Sequence, residues 1–179
     1  LRGQVVAIMD CDHVPVRNFL SEPIGFFTDP KVAFVQMPHH FYNPDTFQKN
    51  LHLEQDLGHE QDLFFRVVLP GRQADNAVMF CGSSALLRRS ALEQIGGIRT
   101  ETAIEDTHTS MTLQSLGHHG IYYPKILSGA LSPESFRGYL TQRTRWTRGG
   151  IQIFMLDNPL LKPGLSFMQR MHYFGSPMY

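Results

Sequence analysis

The chain has 179 residues, 42% hydrophobic and 18% charged, the profile of one globular domain and not of a disordered segment. Lys plus Arg and Asp plus Glu both number 16, so no basic excess marks a general nucleic-acid binder. The two cysteines, Cys11 and Cys81, make neither a CxxC pair nor a disulfide framework, which fits a reducing compartment.

Val5–Met9 is a short continuous apolar run, which predicts a strand buried on both faces of a parallel sheet. It runs into Asp10, Cys11, Asp12 and His13. Ligands of open α/β sheets bind beyond the carboxyl ends of strands, and alternation along an extended backbone puts Asp10 and Asp12 on one side. Two carboxylates there suit a hard cation such as Mg²⁺ bridged to a diphosphate, and they equally suit a strand-end turn capped by Asp. Pro15–Phe27 reads as a short helix carrying Phe19, Leu20, Ile24 and Phe27, interrupted or opened by Pro23. Val32–Gln36 is a second strand. His39 and His40 follow with no third ligand at useful spacing, so Met37–Pro44 reads as a packed or substrate-facing loop. Asp45–Leu57 is expected to be helical, with Asp45 as cap and Phe47, Leu51 and Leu53 as its inner stripe. Gly58–Asn76 is polar and punctuated, and no element is assigned there. In Met79–Ser84, Gly82 permits a tight turn, or a close approach of backbone to ligand. Ala85–Arg88 is a strand, and Ser90 caps a short helix, Ala91–Ile95, that Gly96 and Gly97 end.

Glu105 and Asp106 stand where a helix begins, with Met111, Leu113 and Leu116 at roughly helical spacing and Gly117 as its stop. The helix dipole favours an ionised carboxylate in the first turn, which suits a general base, although acidic pairs also serve as plain caps. Ile121–Tyr123 and Ile126–Ala130 are two further short strands. Pro133–Ser135 opens a long helix towards Phe154. On it Gln142, Arg145 and Trp146 fall at i, i+3 and i+4, one face that offers an amide, a guanidinium and an indole. That combination reads as a phosphate grip beside a stacking platform, though a Trp on a helix also serves as core. Arg137, Arg143 and Arg148 are expected on its exposed face, and Gly149–Gly150 weakens its middle. Leu160–Phe174 carries Leu161, Leu165, Met168, Met171 and His172 near helical spacing with Lys162, Gln169 and Arg170 beside them. This pattern suits a helix at a membrane surface or an amphipathic core helix. No apolar stretch reaches the ~18 residues of a membrane span, and the chain is expected to be an internal piece of something longer.

Taken in order, Asp10–Pro15, Pro38–Phe41, Phe80–Ser83, Glu105–Asp106 and Gln142–Trp146 resemble the catalytic core of the bacterial cellulose synthases, processive inverting glycosyltransferases. The resemblance covers essentially the whole chain. It implies an α/β fold of GT-A type, a Rossmann-like mixed sheet with flanking helices, in residues 1–132, and amphipathic interface helices in residues 133–179. It further implies that Asp10 and Asp12 bind the donor's diphosphate through Mg²⁺ or Mn²⁺, with Gln142 and Arg145 on the same diphosphate. Asp106 would be the base, with Glu105 beside it, and Trp146 would stack under the terminal sugar. Phe80, Cys81, Gly82, Ser83 and His39 would line the acceptor site. The implied partners are UDP-glucose, a β-1,4-glucan acceptor extended at its non-reducing end, and a lipid surface at the cytoplasmic face of a bacterial inner membrane. In the full-length protein a periplasmic subunit and cyclic-di-GMP are implied as well, with no site for either in this chain.

Ile104 replaces a threonine that the family usually has before its two carboxylates, and both carboxylates remain. A tyrosine and a tryptophan expected between the histidine loop and Phe80 are not evident. The family's first uridine-binding carboxylate and its lysine-containing donor motif have no match here, so the chain alone is expected to be inactive. A synthase of another β-glycan, such as a 1,3-glucan or glucomannan, a non-catalytic scaffold homologue, and a phosphohydrolase built on Asp10 and Asp12 are the alternative readings.

Overall fold

The computed structural model of the protein describes residues 3–176. Its strands are β1 (Val5–Ile8), β2 (Val14–Pro15), β3 (Val32–Gln36), β4 (Ala85–Arg88), β5 (His119–Tyr122) and β6 (Ser128–Gly129). Four of them form a mixed sheet in the order β1-β4-β3-β5, with β3 and β5 parallel and the other pairs antiparallel. β2 and β6 form a separate antiparallel pair. β1 is a strand as expected, but it stands at one end of the order, pairs antiparallel and is only partly buried. The strand buried on both sides is β3, with all five residues inside. Both segments are apolar runs, and only the pairing decides which one acquires neighbours on each side. The two faces of the sheet carry separate clusters. Ala85 and Leu87 of β4 face one and Leu86 the other, the period of two that a pleated strand imposes.

The expected helix over Pro15–Phe27 is instead a run of turns and a 3-10 helix, Pro23–Thr28, which Pro23 opens because its missing N–H costs nothing there. Helix α1 (Thr46–Leu51) starts at Asp45 in a full capping box: Phe47 and Gln48 N–H donate to the Asp45 carboxylate at 2.7 and 2.9 Å, and Asp45 N–H donates to Gln48. It stops at His52, in the left-handed region, well before Leu57. Phe47, Leu51 and Leu53 are exposed, contrary to the expected stripe, while Thr46 and Gln48 are buried. The helix is held by polar ties, Thr46 Oγ1 to Pro133 C=O and Gln48 Nε2 to Leu57 C=O, so apolar spacing misidentified its inner face.

Residues 64–75, where no element was assigned, form one helical stretch: a π-helical turn at Phe64–Val68, then α2 (Leu69–Gly71), then a 3-10 turn at Arg72–Asp75. Phe65, Leu69 and Arg72 point inward at helical spacing, a signal masked by the polar Arg72 and by the breakers Pro70 and Gly71. Helix α3 (Arg89–Gln94) has Arg88 at its N-cap, so Ser90 lies inside the helix and caps nothing.

Helix α4 (Glu105–Ser115) begins at Ile104 with no side-chain cap, and Gly117 follows its end at φ 86°. Helix α5 (Phe136–Leu156) is capped by Ser135, whose Oγ accepts from Gly138 N–H at 3.1 Å. It continues through Gly149 and Gly150, both buried, because Ile104 packs where a side chain at Gly149 would stand. Helix α6 (Phe167–Gly175) starts later than expected, at a Ser166 capping box, after a turn through Pro163 and Gly164. Ile153, Leu165 and Tyr173 join Phe80, Met111 and Leu113 in one cluster, so the C-terminal helices share the core of the sheet domain.

Candidate active site

β1 delivers the chain into a turn in which His13 N–H donates to Asp10 C=O at 3.1 Å. The extended alternation expected for Asp10 and Asp12 is therefore replaced by a bend, which adds His13 to the pair. One ligand atom each from Asp10, Asp12 and His13 lie within 4.8 Å of one another. Both aspartates are exposed, and His13 Nδ1 stands 3.3 Å from Asp12 Oδ1. Desolvation raises the Asp10 carboxyl above its ordinary range, with His13 opposing that shift. Asp10 N–H donates to Ser83 Oγ at 2.9 Å, which pins this turn to the Cys81–Ser84 turn.

The buried amide of Gln36, at the end of β3, shapes that second turn. Its Nε2 donates to Ser83 C=O at 2.8 Å and its Oε1 accepts from Cys81 N–H at 2.8 Å. His39 Nε2 lies 3.1 Å from Ser83 C=O, and burial lowers the His39 imidazole to about 4, a neutral ring at physiological pH. Gly82 has φ 81°, and a Cβ there would lie 3.1 Å from Asp106 Oδ2. The turn thus brings bare backbone against that carboxylate.

Asp106 occupies the first turn of α4 and accepts from Thr107 N–H at 2.6 Å. Desolvation pushes its carboxyl up from 3.8 to about 7, against the Thr107 N–H and Arg145, while Glu105 adds to the rise. The helix dipole was expected to keep it ionised. A dipole at a helix end is worth only ~0.3–1 kcal/mol, less than the cost of desolvating a carboxylate in this cleft.

On α5, Gln142, Arg145 and Trp146 do share a face, and that face borders the same cleft. Arg143 does not sit on an exposed basic face as expected. Its guanidinium lies 4.6 Å from the Trp146 ring centroid and 5.2 Å from that of Tyr139, and it forms an ion pair with Glu60. An arginine drawn between two rings of its own helix is held by cation–π attraction, which sequence spacing alone does not separate from solvation.

The cleft between these elements has a volume of about 880 Å³. Asp10, Asp12, Glu105, Asp106, Gln142, Arg145 and Trp146 line it, as do His39, Cys81 and Gly82. Phe80 and Ser83 do not: Phe80 lies in the core, and Ser83 is buried beneath the turn, where its Oγ accepts from Asp10 N–H. Sequence spacing gives no site role to His13, Gln36, Glu60 or Arg143, and it assigns Arg143 to the exposed face of α5. Of these, His13 had a visible signal, its place directly after the two aspartates.

The profile of glycosyl transferase family group 2 matches residues 5–178. The chain is 43% identical over 178 residues to the UDP-forming cellulose synthase catalytic subunit of Xanthomonas axonopodis pv. citri, covering 99% of this chain and 24% of that protein. It is 47% identical over 175 residues to cellulose synthase 1 of Komagataeibacter xylinus, covering 97% of this chain and 11% of that protein. The chain thus spans a quarter or less of the length of these relatives. A mannosyltransferase from Pyrobaculum calidifontis, solved in complex with GDP-Man and Mn²⁺, superposes with a TM-score of 0.62 at 19% identity over 98% of this chain and 45% of that one. That likeness extends to the fold, an α/β domain of GT-A type. With the profile running from the first strand past the last helix, the protein belongs to glycosyl transferase family group 2.

Proposed function

We propose that the chain carries the catalytic cleft of an enzyme that transfers glucose from UDP-glucose to the non-reducing end of a growing β-1,4-glucan, with inversion. The observation that carries this reading is the convergence of Asp10, Asp12, Asp106, Arg145 and Trp146 on one cleft from three separate stretches of chain. The kinship with cellulose synthases supplies the donor and the acceptor. Asp106 takes the proton from the acceptor's 4-hydroxyl, and that oxygen attacks the anomeric carbon as the bond to the UDP oxygen breaks. A carboxylate held near neutrality is matched to this task. Arg145 and Gln142 face the leaving diphosphate, and Trp146 offers its ring to the apolar face of the terminal sugar.

Two carboxylates and an imidazole within 4.8 Å of one another are a donor set that suits Mg²⁺ or Mn²⁺. Asp10, Asp12 and His13 would hold the ion, which when bound offsets the charge developing on the diphosphate. The Mn²⁺ carried by the mannosyltransferase of the same fold supports this assignment.

We infer that the protein works on the cytoplasmic face of a bacterial inner membrane. The support is the apolar surface of its C-terminal part, where Met155 is 80%, Leu161 76% and Phe167 72% exposed. Among the described residues no helix is long and apolar enough to cross a bilayer, so α5 and α6 would lie on the lipid. Any periplasmic subunit or cyclic-di-GMP site belongs to chain outside these residues.

The test is Asp106→Asn in the full-length protein. Polymer formation should stop while UDP binding persists, and continued synthesis would refute the base assignment. The product should be degraded by a β-1,4-glucanase, and resistance to it would overturn the linkage. The 179-residue chain by itself should not turn over UDP-glucose.

A further inference from the structure

His108 lies on α4 two residues beyond Asp106 and is 1% exposed. Its Nε2 is 3.2 Å from Asp157 Oδ2, and its Nδ1 is 3.5 Å from Thr102 Oγ1. Lys162 forms an ion pair with the same Asp157 oxygen. Asp157 is the C-cap of α5, the helix that carries Trp146, and Thr102 stands on the approach to α4. The carboxylate can only accept, so Nε2 carries the proton and a neutral ring leaves Nδ1 to accept from the Thr102 hydroxyl. The imidazole is thereby gripped from two sides. Two more ties join the same segments. Ala103 N–H donates to Gln152 Oε1 at 2.8 Å, and Ile104 packs directly against Gly149. These ties matter because α4 has no side-chain cap at Ile104 and so no local device that fixes its start. His108, Asp157 and Lys162 do not line the cleft.

We propose that the pair of buried His108 and half-buried Asp157 is a positioning strut that sets the register between α4 and α5, and so the placement of Asp106 against Trp146. This rests on the reading of Asp106 as the base. Neither member touches substrate. The pair acts through the helices it joins, and its effect falls on the chemical step and not on donor affinity. Misplacing a reacting group by ~1 Å can cost ~100-fold in rate.

The experiment compares Asp157→Ala and Asp157→Asn in the full-length protein. Asp157→Ala should lower kcat by about tenfold or more with UDP affinity and donor KM unchanged within about twofold. Asp157→Asn keeps an acceptor oxygen in place and should recover most of that loss. Adding His108→Leu to Asp157→Ala should cost little more, since both break one interaction. An unchanged kcat, a parallel loss of UDP binding and turnover, or fully additive effects would each overturn the strut. If Asp157→Ala does not accumulate, Lys162→Met, which leaves both partners in place but loosens the carboxylate, must show the same selective fall in kcat, and an unchanged kcat there overturns it too. Asp106→Asn is run alongside. Synthesis surviving Asp106→Asn removes the base reading, whereas synthesis lost there but unaffected by Asp157→Ala removes only the strut.

Discussion

Gly149→Ala adds a single methyl where α5 crosses the start of α4. Its Cβ would lie 2.7 Å from both Ile104 Cγ1 and Cγ2 and 2.9 Å from the Ile104 backbone N. Ordinary carbon contacts begin near 3.4 Å, so the helices must part by roughly 0.5–1 Å. Alanine gains about 1 kcal/mol over glycine inside a helix, while overpacking costs about 1–3 kcal/mol, which leaves a net loss of roughly 0–2 kcal/mol. The functional effect should exceed the stability effect. Asp106 follows Ile104 by two residues and Trp146 precedes Gly149 by three, so the same displacement opens the space between them. A shift of that size predicts a loss of ~10–100-fold in glucosyl transfer with UDP binding retained. Radiolabelled UDP-glucose incorporation and UDP titration on one preparation measure the two quantities. Adding Ile104→Ala removes the Cγ contacts but leaves the backbone N at 2.9 Å, so rescue should be partial. A Gly149→Ala protein with full turnover and a raised melting temperature would show that helix propensity outweighs the contact, and would refute the reasoning.

Four other outcomes are expected. With Asp106 held at about 7 and acting ionised, kcat/KM should climb with pH through about 7, and a limb near 4 would contradict the desolvated site. The sign for stability is the reverse: a carboxyl raised above its unfolded value contributes stability that is fully present below pH 3.8 and lost as pH rises through about 7. Asp106→Asn should therefore stabilise the fold at pH 8 by about 1–2 kcal/mol, after solvent screening, and far less at pH 5; equal melting shifts at both would count against it. Gly82→Ala places a methyl at φ 81° and 3.1 Å from Asp106 Oδ2, so it should cost about 1–2 kcal/mol and move the acidic limb upward by desolvating the base further. A limb that stays put would mean the turn yields without touching Asp106. His13→Ala should weaken Mn²⁺ binding by about tenfold in a paramagnetic titration, and unchanged affinity would remove the imidazole from the ion's ligands.

Much of the local structure was legible because its causes are local. Asp45 begins α1 and Ser135 begins α5 through bonds that reach three residues along the chain. The face shared by Gln142, Arg145 and Trp146 follows from helical geometry alone, and so does the start of α4 before Glu105. Failures came where a distant partner decided the outcome. Phe47 and Leu51 had the spacing of an inner stripe, yet Pro133 and Leu57 claimed the polar side of that helix. Phe64–Asp75 is helical because Phe65, Leu69 and Arg72 find the core beneath β3 and β5, against the local sense of Pro70 and Gly71.

The amino-acid order by itself determined which chemistry is available and its spacing along each element: an aspartate pair after an apolar run, two carboxylates at a helix start, and a guanidinium and indole on one helical face. Tertiary structure alone decided that these meet in one cleft, that His13 turns in to join the aspartates, and that Phe80 and Ser83 turn away. It also decided the proton affinity of Asp106. Capping and periodicity act over a few residues of backbone, whereas desolvation depends on every atom that displaces water from a group, and those atoms come from stretches of chain with no fixed distance in sequence.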